Sequence, residues 1–179
     1  MTLYFALSWV PKLLIEQGMS QNDGIRGGMS LNLLGVVGII SFAFVSTKVR
    51  APVLAVFYMC GASLILFYLG FYDFAQASTL NTWVMVAIVG FFVHASMISL
   101  YAITPSLYPA EIRATGTGWA IGLSRFGAVF GPWLTGYLLA EGWEPGSIFP
   151  VFGIPILLAA ISVGLLAVLL RPTKSSSLN

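Results

Sequence analysis

The sequence predicts an all-α membrane protein with six transmembrane helices. Three observations carry this. Hydrophobic residues make up 58% of the 179-residue chain and charged residues only 8%. Soluble domains are about 25% charged, so a surface this poor in charge cannot keep a globule dissolved in water. The apolar residues fall into separate stretches, roughly 3–17, 27–47, 52–72, 82–107, 114–139 and 147–170. Basic and acidic residues alternate between the gaps that separate them.

Length decides what each stretch can form. A helix crossing the hydrocarbon core needs about 20 apolar residues, and a barrel strand only about 10. Five stretches have helical length; the first is short. Lipid leaves free backbone groups unsatisfied, so helices are the form these lengths fit. Polar turn segments lie between them: "GMSQNDG", "TKVRAP", "DFAQASTLN", "YPAEIR" and "EGWEPG". Pro52 and Pro109 fall near helix starts or in loops, where a missing N–H costs little. Pro132, Pro150 and Pro155 fall inside or near the ends of later stretches and are expected to kink them. Residues 1–172 then form one six-helix unit, and 173–179 a polar tail.

Charge orients the unit. Lys48, Arg50, Arg113, Arg171 and Lys174 share one side with Glu111. Glu16, Asp23, Asp73, Glu141 and Glu144 share the other with Arg26 and Lys12. Basic loops favour the cytoplasm, which places both termini there and puts Glu111 and Arg113 in a cytoplasmic loop. Residues 1–17 would make a helix of about 25 Å, against a core of about 30 Å. The expectation is that the chain begins inside a helix of a longer protein.

Composition excludes several functions. A net charge of +2 is too small to suggest a nucleic-acid partner. One Cys and one His supply neither a disulfide nor an ordinary zinc site. No Gly-rich phosphate loop, nucleophile–base pair or carboxylate cluster is present. No enzyme, metal or cofactor is expected. The N-terminus lacks the basic region of a signal peptide.

Three features lie inside the membrane-length stretches. Arg125 sits in "ATGTGWAIGLSRFGAVFGP", about 17 Å along its helix from Ala114. An arginine at this depth costs about 2.5–3.5 kcal/mol to insert and normally faces a cavity or a partner. Every Asp and Glu falls in or beside a loop, so no intramembrane carboxylate of this chain pairs with it. Its partner is another segment, water and backbone carbonyls, or an anionic ligand. Close helix packing against carbonyls is the purely structural alternative. Gly118 and Gly122 share the face of Arg125, while Gly127 and Gly131 form a second small-xxx-small pair suited to helix packing. Trp119 stands beside them, placed to stack on an aromatic ligand or to face lipid. His94 lies at mid-depth in "GFFVHASMISLYAITPSLYP", with Gly90, Met97, Ile98 and Tyr101 at helical spacing. A histidine there can relay protons; a neutral, hydrogen-bonded histidine is the simpler expectation.

"LYPAEIRATGTGWAIGLSRFGAVFGPWLTGYLL" (Leu107–Leu139) resembles the fifth helix of the C-terminal half of major facilitator superfamily transporters, in the aromatic acid:proton symporter branch. "LYFALSWVPKLL" and "GFFVHASMISLYAITPSLYP" resemble helices seven and ten of that branch. The resemblance covers nearly the whole chain and implies helices seven to twelve of a twelve-helix fold. One departure is Ser46 and Thr47, which stand where the branch commonly carries an acidic–basic pair. The resemblance implies a secondary active transporter of the bacterial inner membrane, taking up an aromatic or other organic anion by symport with a proton. Arg125 would meet the substrate carboxylate or a coupling carboxylate of the other half, with His94, Trp119 and Tyr101 as further substrate or coupling residues. The partners implied are lipid and an N-terminal six-helix half, from the same gene or a separate chain. A fragment, a split half and a homodimer of halves are the alternatives for the chain itself. A non-transporting membrane interaction protein and a sugar or polyol carrier are the alternatives for function.

Overall fold

The computed structural model describes residues 1–74 and 76–169. The tail 173–179, with Arg171 and Lys174, lies outside the described residues. Six α-helices follow one another: α1 Thr2–Glu16, α2 Gln21–Val45, α3 Ala51–Leu69, α4 Thr79–Ile103, α5 Arg113–Ala140 and α6 Pro145–Leu169. A 3₁₀ turn, Thr104–Leu107, extends α4. No strand occurs among the described residues.

Local chemistry sets the ends. Ser20 caps α2 by accepting from the Asp23 amide at 3.2 Å, and Ser78 caps α4 by accepting from the Asn81 amide at 3.3 Å. Pro52 occupies the first turn of α3, where its missing donor is harmless. α1 stops at Gly18, whose φ of 95° is readily adopted only without a side chain. The amides of Gly18 and Met19 then bond back to the carbonyls of Ile15 and Leu14. Gly142 ends α5 in the same way. α5 and α6 both continue through their prolines.

Four helical segments are long and apolar enough to cross a membrane: Gln21–Val45, Ala51–Gly70, Thr79–Leu107 and Pro145–Leu169. The other two stretches expected as spans are also helical, but α1 has only 15 residues. α5 has 28, diluted by glycines, hydroxyl residues and two arginines. Its composition suits a lined or packed surface better than bulk lipid.

α2 packs most extensively on α4, and α3 on α6 and α4; α1 lies over α2 and part of α5. The α2–α4 pair approaches closely because glycines face backbone. A Cβ on Gly38 would strike the Phe91 carbonyl, and one on Gly90 the Leu31 carbonyl. Small residues that admit a neighbouring backbone are the usual device for helix association in lipid. Both helices start at the same end of the bundle. There the Trp83 indole donates to the Asp23 carbonyl at 3.0 Å, and Arg26 lies 5.8 Å from the Trp83 ring centre.

The core gathers Phe5, Leu13 and Leu14 of α1, Leu31 of α2, Met59 and Leu66 of α3, and Phe149 and Phe152 of α6. Phe5 stacks on Phe152 with centroids 3.8 Å apart and meets Phe149 edge-on. Thr2 and Ser63 donate to the Phe152 and Gly153 carbonyls, tying α1 and α3 to α6. The outside is apolar as well: Leu33, Phe44, Leu64 and Phe71 are each at least 70% exposed. Such a surface fits lipid and not water.

α5 is unlike the rest. Its fully buried residues are Gly131, Thr135 and Leu138, all in its last third. The helix leaves Trp119, Leu123, Phe126, Val129 and Trp133 exposed. α1 lies against the later part of α5, where Gly127 and Gly131 meet Met1 and Gly136 meets Trp9.

Candidate functional site

A cavity of about 310 Å³ opens where α1, α4 and α5 converge over α3 and α6. α1 contributes Met1 to Tyr4. α4 contributes Val93, Ser96, Met97, Leu100 and Tyr101, and its 3₁₀ extension Thr104. α5 contributes Ala120, Ile121 and Ser124; Met59, Ile156 and Ala159 form the floor. The walls are apolar with a few hydroxyls, the usual character of a small-molecule pocket.

The hydroxyl groups divide into two kinds. Ser96 donates to the Phe92 carbonyl at 2.7 Å, Thr104 to Leu100 at 2.7 Å, and Ser124 to Ile121 at 2.6 Å. Thr2 donates to Phe152 at 3.0 Å. Their protons are engaged by helix carbonyls, so they offer a ligand only lone pairs. Tyr4 and Tyr101 have no such acceptor among the described residues. Donors for an anion therefore come from the tyrosines and from Arg125.

Arg125 is exposed on α5 and donates from Nη1 to the Tyr4 hydroxyl. No carboxylate lies against it among the described residues; the ion pair found there is Lys12–Glu16, 3.7 Å, at the far end of α1. The hydrogen-bond partner within the described residues is thus a tyrosine hydroxyl of α1, which supplies no counter-charge. Four of the five guanidinium N–H groups remain for other acceptors. Tyr4 itself was missed from sequence. The signal available was a tyrosine inside a membrane-length helix, whose polar tip normally finds a partner.

The other expected residues separate. Tyr101 lines the cavity with Met97. His94 does not; it lies half-buried against α2 at Gly35, where a side chain would collide with its ring. Its Nδ1 is 2.9 Å from the Gly90 carbonyl. A carbonyl only accepts, so Nδ1 carries the hydrogen in this bond. Met97 is turned about 60° from His94 around the axis and Tyr101 only about 20°, but Tyr101 lies about 10 Å further along the helix, beyond the level where His94 meets α2.

Trp119 is 68% exposed and lies in a shallow groove on the outer face of α5 with Thr115, Gly118, Gly122, Leu123 and Phe126. A Cβ on Gly118 or Gly122 would meet nothing. Within this chain those two glycines pack against no helix, whereas Gly127 and Gly131 admit Met1. Glu111 is exposed in the turn before α5, and Arg113 opens the helix with Nε 3.4 Å from the Tyr108 carbonyl.

Comparison with characterised proteins shows what the chain is similar to. The chain is 31% identical over 165 residues to a gallate transporter of Pseudomonas putida, covering 91% of this chain and 36% of that protein. It is 31% identical over 173 residues to a gentisate transporter of Corynebacterium glutamicum, covering 95% and 37%. It is 29% identical over 164 residues to a benzoate transport protein of Acinetobacter baylyi, covering 92% and 34%. The chain is homologous to bacterial aromatic-acid transporters. No protein-family model and no solved structure matches it. This transporter homologue spans little more than a third of the length of those relatives. With its four apolar helices it is a multi-pass integral membrane protein. Its relatives are transporters and not enzymes, and they favour neither a sugar carrier nor a non-transporting interaction protein.

Proposed function

We propose that the chain is the C-terminal six-helix half of a twelve-helix major facilitator transporter. It carries an aromatic or related organic carboxylate into the bacterial cell, across the inner membrane, together with a proton. In this reading α1 and α5 also cross the bilayer. Lys48, Arg50 and Arg113 face the cytoplasm, as do both termini and the tail after residue 172. Two such halves enclose a midplane site and rock about it. The second half, from the same gene or a separate chain, covers the open face of α5, including Gly118, Gly122 and Trp119.

One observation carries the proposal. Arg125 donates to a tyrosine of the cavity wall, with no carboxylate of the described chain beside it. A cation so placed needs an anion, and a carboxylate is the group the relatives' named cargoes share. Tyr101 adds a donor from the opposite wall. His94, engaged by its own helix and α2, supports packing.

Uptake tests this. The chain would be joined to the N-terminal six helices of the gentisate relative in proteoliposomes. Labelled gallate, gentisate and benzoate would be offered with and without an inward proton gradient. The expected result is saturable uptake of at least one acid, driven by the gradient and abolished by a protonophore. Uptake no greater than in protein-free liposomes would reject the proposal.

A further inference from the structure

Arg125 is absent from the cavity lining, although Ser124 and Ile121 of the same helix belong to it. One residue is a step of about 100° around a helix. The guanidinium therefore meets the cavity wall at Tyr4, whose hydroxyl accepts from Nη1. A phenol has one proton to donate, and that of Tyr4 has no acceptor among the described residues. The serine and threonine protons of the same wall are already taken by helix carbonyls.

From this geometry we infer that Tyr4 is a positioning residue for the carboxylate, presenting its hydroxyl proton to an organic anion in the cavity while Arg125 holds its oxygen. The inference rests on the anion-carrier reading above and adds a residue to it. A donor that itself accepts from a cation is polarised and becomes a stronger donor. The chain Arg125–Tyr4–carboxylate thus brings the charge of α5 to a ligand that touches α1 and α4. It also makes occupation of the cavity a contact that joins α1 to α5, in addition to the packing of Gly127 and Gly131 on Met1.

The alternative is a purely structural bond between α1 and α5, and anion selectivity separates the two. Equilibrium binding of labelled benzoate, with benzamide as a neutral competitor, would be measured on the chain joined to the N-terminal six helices of the gentisate relative, in phospholipid nanodiscs. The wild type is expected to prefer benzoate. Tyr4→Phe keeps the ring and should weaken benzoate binding about 10- to 100-fold, the range for a hydrogen bond to a charged group. Benzamide binding should change little. Tyr4→His, which retains a donor, should restore part of the preference. In an Arg125→Gln background, Tyr4→Phe should have a smaller effect than in wild type, because the two residues act in series.

Unchanged benzoate affinity in Tyr4→Phe would overturn the inference and leave the anion-carrier reading standing. So would an equal loss for benzoate and benzamide, or a folded Tyr4→His protein no better than Tyr4→Phe. Absence of saturable benzoate binding by the wild type would remove both.

Discussion

Arg125 and Tyr4 are 121 residues apart in sequence, yet the guanidinium of one donates to the hydroxyl of the other. The bond links the least buried helix of the bundle to its shortest one. It gives a mid-helix cation a neutral partner and leaves its charge uncompensated. In the proposed function this charge binds the substrate, and its removal is the most direct test of the site.

Arg125→Ala should abolish uptake of aromatic acids by the joined transporter while membrane insertion persists. Loss of a charge-assisted hydrogen bond to substrate corresponds to about a 10- to 100-fold loss of affinity, and more where the whole charge is removed. The measurement is initial uptake rate against substrate concentration, with immunoblots of the membrane fraction. Wild-type uptake by this variant would remove Arg125 from the mechanism.

His94→Asn should leave transport in place. The amide of Asn supplies a donor in place of Nδ1–H, whose acceptor is the Gly90 carbonyl 2.9 Å away. A pH series of uptake rates checks this. Complete loss at every pH would show that the imidazole does more than bond to its own helix.

Gly90→Leu should destabilise the bundle strongly, because its Cβ would meet the backbone of α2 at Leu31 and neither backbone can move aside easily. Overpacking of this kind costs about 1–3 kcal/mol, occasionally more. Gly118→Ala, on the open groove, should be nearly neutral when the chain is alone, since nothing lies within 4 Å of the added methyl. Thermal denaturation of the two variants in the same detergent makes the comparison.

Tyr58→Phe should cost little. Tyr58 is 3% exposed and shares a hydrogen bond with Ser41 between α3 and α2. Interhelical hydrogen bonds in membrane proteins average about 0.6 kcal/mol. Its ring contacts with Phe42, Phe91 and Phe92 are retained in the variant. A loss larger than that for Gly90→Leu would contradict the view that the close backbone approach of α2 and α4 matters more to the bundle than the polar bond between α3 and α2.

Much of this architecture is legible along the chain. Hydropathy is a property of each segment, so all six helices appear in their expected stretches without reference to any neighbour. The caps at Ser20 and Ser78 are equally local. The weakness of α1 and α5 as spans is also visible in their length and composition. Arg125 stands out for the same reason: an ion's cost in a low-dielectric slab depends on depth, and depth follows from position in the helix.

Which side chains meet is another matter. The glycines that draw the eye, Gly118 and Gly122, are open here, while Gly35, Gly38 and Gly90 make the tight approach. His94 and Tyr101 share a helical spacing and yet face different neighbours. Tyr4 becomes part of the site only because α1 lies across α5. The sequence by itself determined the apolar character of this protein, its helical segments, and the presence of a cation in the middle of a largely apolar helix. The tertiary structure alone decided the partner of that cation and the walls of the cavity, because contacts between helices depend on their rotation and crossing, which hydropathy does not encode.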